Sequence, residues 1–300
     1  MSVTSGKVLV SGSSGLVGTA LIPALLAGGY RVTRLIRSGL AGDDRILWNP
    51  AEPLPPEAIT AFDAVIHLAG ESIAGRWTEA KKRRIVESRV PSARNLAEAL
   101  ARNPRPSQVL ICASAIGYYG NRGDEILRED SPPGEGFGSE LCRQWEAATR
   151  PAADAGIRTV NTRFGIVLSA AGGALKKMLP PFRLGLGGNM GNGRQWMSWI
   201  DLQDAVRAIL HILQTASLQG PVNLAGPNPV SNAEFSKTLA SVLRRPAIFP
   251  MPAFAAHLLF GQMADELLLA SQRVEPEKLL ASGFAFQRPN LRQSLQALLE

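Results

Sequence analysis

Short apolar runs alternate with amphipathic stretches along the first half of the chain. Residues 7–11 (KVLVS) form an apolar run ending in glycines, and residues 15–27 carry Leu16, Ala20, Leu21, Ala24 and Leu25 at helical spacing. Residues 31–37 (RVTRLIR), 64–68 (AVIHL), 109–113 (VLICA) and 159–164 (TVNTRF) predict four further strands, with amphipathic helices near 78–102 and 138–153. Near-continuous apolar strands separated by helices predict a parallel sheet covered on both faces, an α/β Rossmann-like doubly wound fold. The pattern changes after about residue 170. A Gly-rich segment, 184–193 (LGLGGNMGNG), precedes Trp199-Ile200-Asp201 and a helix to about Leu213. A strand over 221–225, a helix over 232–243, a proline-rich turn and two C-terminal helical stretches follow. This divides the chain into a nucleotide-binding domain, 1–170, and a smaller α+β substrate-binding domain, 171–300, with the chain returning to the first near 199–226.

The sharpest chemical signal is Gly12-x-x-Gly15-x-x-Gly18, placed between the first strand and the first helix. Gly12 permits a tight turn, Gly15 lets main chain approach a pyrophosphate, and Gly18 lets the helix pack closely on the strand. The helix start then offers free N–H groups and a positive dipole end to phosphates through the Ser14, Leu16 and Val17 region. An NAD site commonly has Asp or Glu about 20 residues further on, to hold the ribose diol. This chain has no carboxylate before Asp43, and carries Arg34, Arg37 and Ser38 at the end of its second strand. A guanidinium there suits a 2′-phosphate, so NADP(H) is the expected cofactor. Strand three ends in His67-Leu68-Ala69-Gly70-Glu71, where small residues let a ligand lie against the sheet's carboxyl edge. His67 sits inside the strand and reads as a packed or hydrogen-bonded core residue.

Composition narrows the function classes. The 300 residues carry 32 basic and 25 acidic side chains, with 45% hydrophobic residues, near the globular average. Arg outnumbers Lys 25 to 7, and the one dense run, Lys81 to Arg84, reads as a solvated helix face rather than a nucleic-acid footprint. Cys112 and Cys142 are too few for a disulfide framework, and no Cys/His cluster predicts a metal site. The expected protein is cytoplasmic, binds no nucleic acid and does not enter the membrane; its most apolar stretch, 246–260, is broken by three prolines and a histidine.

With these pieces placed, the chain resembles the extended short-chain dehydrogenase/reductase superfamily. The matching residues are Gly12 to Gly18, the His67 to Gly70 turn, Ser114 after the fourth strand, and Trp199-Ile200-Asp201-Leu202. More narrowly it resembles the YfcH-type epimerase family proteins, through Arg183 to Gly188 and a C-terminal signature of Ser271-Gln272-Arg273-Val274, Pro276, Leu279-Leu280 and Gly283-Phe284. The resemblance implies an oxidoreductase or epimerase acting on a nucleotide sugar or another small carbonyl or hydroxyl substrate, with a homodimer as one compatible assembly. It also implies an alternative: a non-catalytic NADP(H)-binding regulator or scaffold, since some relatives are linked to cell division.

In that superfamily a Ser or Thr orients the reacting oxygen, a Tyr moves the proton, and a Lys four residues later lowers the Tyr pKa. Ser114 fits the first role. The Tyr-x-x-x-Lys pair is missing, and Gly138 and Cys142 stand where it is expected. Tyr118 is the candidate substitute proton donor, with stacking on nicotinamide or packing at the domain interface equally open. By position, Glu71, Arg89, Arg163 and Val167 are candidates to line the cofactor, together with Leu68, Ala69 and Gly70. Arg194, in a flexible loop over the cleft, is the candidate for a phosphorylated substrate.

Overall fold

The structure, a computed structural model, describes residues 5–60, 62–104 and 107–300. A seven-stranded sheet holds β1 (Gly6–Ser11), β2 (Tyr30–Ile36), β3 (Arg45–Leu47), β4 (Ala64–His67), β5 (Val109–Ala115), β6 (Arg158–Phe164) and β7 (Gly220–Leu224). Their spatial order is β7-β6-β5-β4-β1-β2-β3, and every neighbouring pair is parallel. The order reverses between β1 and β4, so the crevice at their carboxyl ends is where such sheets take ligands.

Helices α1 (Leu16–Ala27), α2 (Glu79–Glu87), α3 (Val90–Ala101), α4 (Phe137–Ala148) and α5 (Arg150–Asp154) belong to the first half. Beyond it lie α6 (Gly173–Arg183), α7 (Leu202–Gln214), α8 (Asn232–Leu243), α9 (Ala253–Phe260), α10 (Glu277–Ala281) and α11 (Leu291–Leu299). Two of these divide what the periodicity reads as single helices. Pro91 and Pro151 sit in the first turns of α3 and α5, where a missing N–H is harmless; further inside a helix each would break the ladder, so the preceding helix ends first. β3 carries no readable signal because three half-exposed edge residues show no period.

Burial accounts for the layers. Leu21 and Leu25 of α1 and Ile209 and Leu213 of α7 pack over Val8, Val10, Ile66 and Val222 on one face. Leu96 and Leu100 of α3 and Ala152 of α5 pack over Leu9, Val65 and Leu110 on the other. Residues 202–224 thus complete the central sheet and its cover. The remaining C-terminal segments build a separate core, in which Leu175, Trp199, Phe235, Leu239 and Leu295 meet. Among the described residues no helix is long and apolar enough to cross a membrane.

The C-terminal signature has a structural reason. Arg273–Val274 pairs in parallel with Ile126–Leu127. Ser271 Oγ donates to the Gly123 carbonyl at 2.6 Å, and Gln272 Nε2 to that of Gly120 at 3.1 Å. Ser198 Oγ donates to the Gln272 carbonyl and accepts from Val274 N, both at 2.8 Å. These short polar side chains sew residues 271–274 between the loop that leaves β5 and the return strand Trp199–Asp201, fixing the loop that follows Tyr118.

Candidate functional site

The glycine turn forms a cradle. Gly12 has φ +70, and a Cβ there would lie 2.6 Å from the Leu68 carbonyl carbon; at Gly18 it would lie 2.3 Å from the Gly12 oxygen. Only glycine lets β1, the start of α1 and the β4 turn approach this closely. Gly15 is the N-cap of α1, which has no side-chain cap, so the first N–H groups of the helix face outward beside exposed Ser14 and Gly15. Leu16 and Val17 turn inward to the core, where Leu16 also meets Gly172 and Gly173 at the head of α6.

His67 anchors this cradle from below. Its ring lies between Ser11 Oγ, 2.6 Å from Nδ1, and Ser92 Oγ, 3.2 Å from Nε2. The Ser92 hydroxyl donates to the Ser88 and Arg89 carbonyls, so it accepts from Nε2–H, and Ser11 donates to Nδ1. His67 is a hydrogen-bonded core residue. Burial, helped by the Arg89 charge, lowers its pKa to about 4. The unfolded chain therefore binds a proton below about pH 6.5 that the folded chain refuses until about 4. Stability is complete above pH 6.5 and falls as the pH drops, by about 3 kcal/mol over the full window. Urea unfolding at pH 7.5 and pH 5 should show a loss of about 2 kcal/mol that His67→Asn removes. An equal loss in the variant would assign the effect elsewhere.

The β4 turn is braced by α2 and α3. Arg89 Nη2 donates to the Glu71 carbonyl at 2.7 Å, and its guanidinium lies against Gly70, where a Cβ would sit 2.9 Å from Cζ. The Glu71 carboxylate accepts from Lys81 Nζ at 2.8 Å and Arg84 Nε at 3.5 Å. The Lys81 hydrogen bond and charge hold the Glu71 pKa below the usual range. The basic run is therefore not wholly a solvated face: Lys81 is turned inward and largely covered. Leu68 and Ala69 line the crevice rim at partial exposure, and Gly70 is exposed.

At the opposite rim, Arg34 and Arg37 differ. Arg34 reaches Asp44 at 3.6 Å, whereas Arg37, exposed beside Ser38 just past β2, has no ion-pair partner among the described residues.

A second cluster forms at the carboxyl ends of β5 and β6. The register sets Ser114 opposite Arg163, so both side chains leave the sheet together, and α4 lowers Glu146 onto them. Ser114 Oγ donates to Glu146 Oε1 at 2.7 Å, Arg163 Nε to the same oxygen at 2.8 Å, and Nη2 to Oε2 at 2.9 Å. Arg163 Nη1 also donates to Tyr119 Oη and the Glu129 carbonyl. Expected at the nicotinamide, Arg163 is 2% exposed, and its guanidinium is engaged within the protein. It lies over the Tyr118 ring, 3.5 Å from the centroid.

The two adjacent tyrosines have different fates. Tyr119 is buried and donates to Asn223 Oδ1 at 2.7 Å, and burial pushes its pKa up to about 12. Tyr118 is half-buried, its carbonyl held by Ser139 Oγ, and its hydroxyl has no hydrogen-bond partner among the described residues.

Where a Tyr and Lys are expected, the structure places no acid–base side chain. Cys142 is a buried, free thiol pushed up to about 12 by its burial. At Gly138 the main-chain N–H donates to Glu266 Oε2 at 2.6 Å, and Phe137 N to Oε1 at 3.1 Å. The C-terminal region thus caps α4 at this point, and Gln262 Nε2 holds the same carboxylate at 2.7 Å.

Glu146 and Glu266 escape the sequence reading. Glu146 had a signal: it lies one helical turn after Cys142, on the stripe that buries Leu141, Cys142 and Trp145, and a carboxylate there needs a partner. Glu266 had none, because its partners are backbone groups about 130 residues away. Val167 lies in the short strand Ile166–Leu168, half-buried near the cradle. Arg194 is exposed, but its loop is not free: Gly187 and Asn189 accept from Phe249 N and Met251 N, and Gly191 N donates to Met251 O. Among the described residues no three His, Cys, Asp or Glu converge to hold a metal.

Sheet order, glycine cradle and Ser114 at the end of β5 define the class of extended short-chain dehydrogenases/reductases. Residues 8–225 match the NAD dependent epimerase/dehydratase family, and the chain belongs to it. Residues 251–298 match DUF1731, a domain of unknown function. The chain is 43% identical over 295 residues to an epimerase family protein of Mycobacterium tuberculosis, covering 98% of this chain and 97% of that one. It is 36% identical over 297 residues to the human epimerase family protein SDR39U1, covering 98% and 99%. The crystal structure of human SDR39U1 (isoform 2) with NADPH superposes with a TM-score of 0.89 over 97% of this chain and 98% of that one. A nucleoside-diphosphate sugar epimerase from Corynebacterium glutamicum, 36% identical, superposes with a TM-score of 0.81 over 98% of this chain and 58% of that one.

Proposed function

We propose that this chain is an NADP(H)-dependent oxidoreductase or epimerase acting on a small hydroxyl or carbonyl substrate, nucleotide sugars first among them. One observation carries the reading: Ser114 at the carboxyl end of β5 and, in the turn that follows, a Tyr118 hydroxyl unpaired among the described residues stand two strands from the glycine cradle. The cradle fits the cofactor. A Cβ at Gly12 would fill the turn, and the uncapped start of α1 presents N–H groups where a diphosphate would rest. When bound, the nicotinamide supplies or accepts a hydride. Ser114 holds the reacting oxygen, Tyr118 carries its proton, and the exposed Arg194 meets a phosphorylated tail. A reducing cytoplasm suits two buried free thiols.

The cofactor assignment rests on Arg37. The family's description says NAD, whereas the human relative was crystallised with NADPH. An exposed guanidinium at the end of β2, with no carboxylate among the described residues to occupy it, favours the 2′-phosphate. NADPH should bind at least tenfold tighter than NADH, about 1.4 kcal/mol, and Arg37→Ala should erase the difference. Equal affinities in the unmodified protein would refute this. Following NADPH absorbance over nucleotide sugars and small ketones tests turnover itself.

A second reading, a cofactor-binding regulator without chemistry, is favoured by Gly138 and Cys142, which stand in α4 where the superfamily's Tyr and Lys are expected. Tight NADPH binding with no turnover on any of these compounds would select it.

A further inference from the structure

We propose that the Glu146–Arg163 ion pair is the positioning device of this site: it makes Ser114 a hydrogen-bond acceptor, so the substrate binds there through a hydroxyl group. The inference rests on the oxidoreductase or epimerase reading above and gives its substrate a chemical form.

The argument begins with the single proton of a serine hydroxyl. Ser114 gives it to Glu146 Oε1 at 2.7 Å. A carboxylate paired with a guanidinium has no proton to return. Ser114 Oγ is left with lone pairs alone, so a group that meets it must bring its own hydrogen. A carbinol O–H does so; a ketone or aldehyde oxygen would set lone pair against lone pair. The carbonyl form must instead take its hydrogen bond from Tyr118, whose hydroxyl is uncommitted. The two side chains therefore divide the oxygen's two states between them: the bound carbinol rests its O–H on Ser114, and as the carbinol is oxidised that proton turns to Tyr118 Oη, which releases its own proton to solvent.

What holds this arrangement is the ion pair. Arg163 grips both oxygens of Glu146, at 2.8 and 2.9 Å, so the carboxylate cannot swing away from Ser114. The same guanidinium lies 3.5 Å from the Tyr118 ring centroid and is fixed on its far side by Tyr119 and the Glu129 carbonyl. One rigid group thereby sets both Ser114 and Tyr118. The Arg163 and Glu146 side chains are 3% and 13% exposed, which keeps water from competing for Glu146. A buried pair adds little stability over apolar packing, so its contribution lies in geometry.

The test uses the full-length protein, a panel of UDP-sugars and secondary alcohols with their matching ketones, and three variants: Glu146→Gln, Ser114→Ala and the double. Glu146→Gln should raise KM for the hydroxyl form about tenfold and leave KM for the ketone unchanged or lower. Its NADPH affinity should stay within twofold. The double variant should be no slower than Ser114→Ala alone, because Glu146 acts through Ser114 while Tyr119 and the Glu129 carbonyl keep Arg163 over Tyr118. Should the amide variant fold poorly, Glu146→Asp keeps the charge and withdraws it from Ser114, and should show the same KM split at an unchanged Tm. Turnover that Glu146→Gln and Glu146→Asp leave within twofold, or effects that multiply in the double variant, overturns the role of the pair while the parent reading stands. A wild-type protein that turns over nothing in the panel overturns both.

Discussion

Gly12→Ala is expected to weaken NADPH binding at least 100-fold and to lower the unfolding free energy by about 4 kcal/mol. Two independent effects add. At φ +70 an alanine occupies the left-handed region, which costs about 1–3 kcal/mol for a residue with a side chain. Its methyl would also lie 2.6–2.7 Å from the Leu68 carbonyl and the Ala69 nitrogen, which are backbone and cannot rotate away. The β4 turn must move, and with it the surface on which the cofactor rests. Gly15→Ala separates these effects: its φ is −77, and the methyl meets only the Gly12 oxygen, at 3.2 Å. That variant should keep most of its stability and still lose affinity, because the methyl stands where a diphosphate would lie. Urea unfolding and NADPH titration of both proteins check this. A Gly12→Ala protein as stable and as avid as the wild type would remove the cradle from the account.

The contrast between these glycines shows how much of the site was legible in the sequence. The strand–turn–helix context and the Gly12, Gly15 and Gly18 spacing belong to one local segment, so each glycine's reason could be read before the fold was known. His67 was legible for a similar reason: a polar residue in a buried strand must find partners, and Ser11 and Ser92 supply them. Arg163 was not. Its place at the end of a strand pointed to the cofactor, whereas its partners come from α4 and from Tyr119, and only strand register reveals that Ser114 lies opposite it. Lys81 shows the same limit, since its carboxylate partner is reached by folding α2 back over the β4 turn. The segment around 185–194 reads as a loose loop from its glycines, but its main chain pairs with residues 249–251, which no local pattern encodes. Periodicity reports which face of an element is buried; it does not report what that face meets.

Tyr118→Phe should lower kcat by about 100- to 10,000-fold, the range over which a positioned proton donor acts. The substitution is unusually clean at this position. A phenylalanine ring still lies under the Arg163 guanidinium and against the edge of Tyr119, and the carbonyl held by Ser139 is unchanged. Only the hydroxyl is lost, and it has no protein partner to leave unsatisfied among the described residues. Tm and NADPH affinity should therefore match the wild type. Tyr119→Phe is the opposite case: its hydroxyl donates to Asn223 and accepts from Arg163, so its loss should lower stability by about 1–3 kcal/mol and alter turnover far less. The pair of variants also separates the roles open to Tyr118. Were Tyr118 a stacking platform for nicotinamide, phenylalanine would serve as well, kcat would survive, and Tyr118→Ala would instead lose cofactor affinity. If Tyr118→Phe retains turnover within threefold, the proton must travel by another route and Tyr118 is not its carrier.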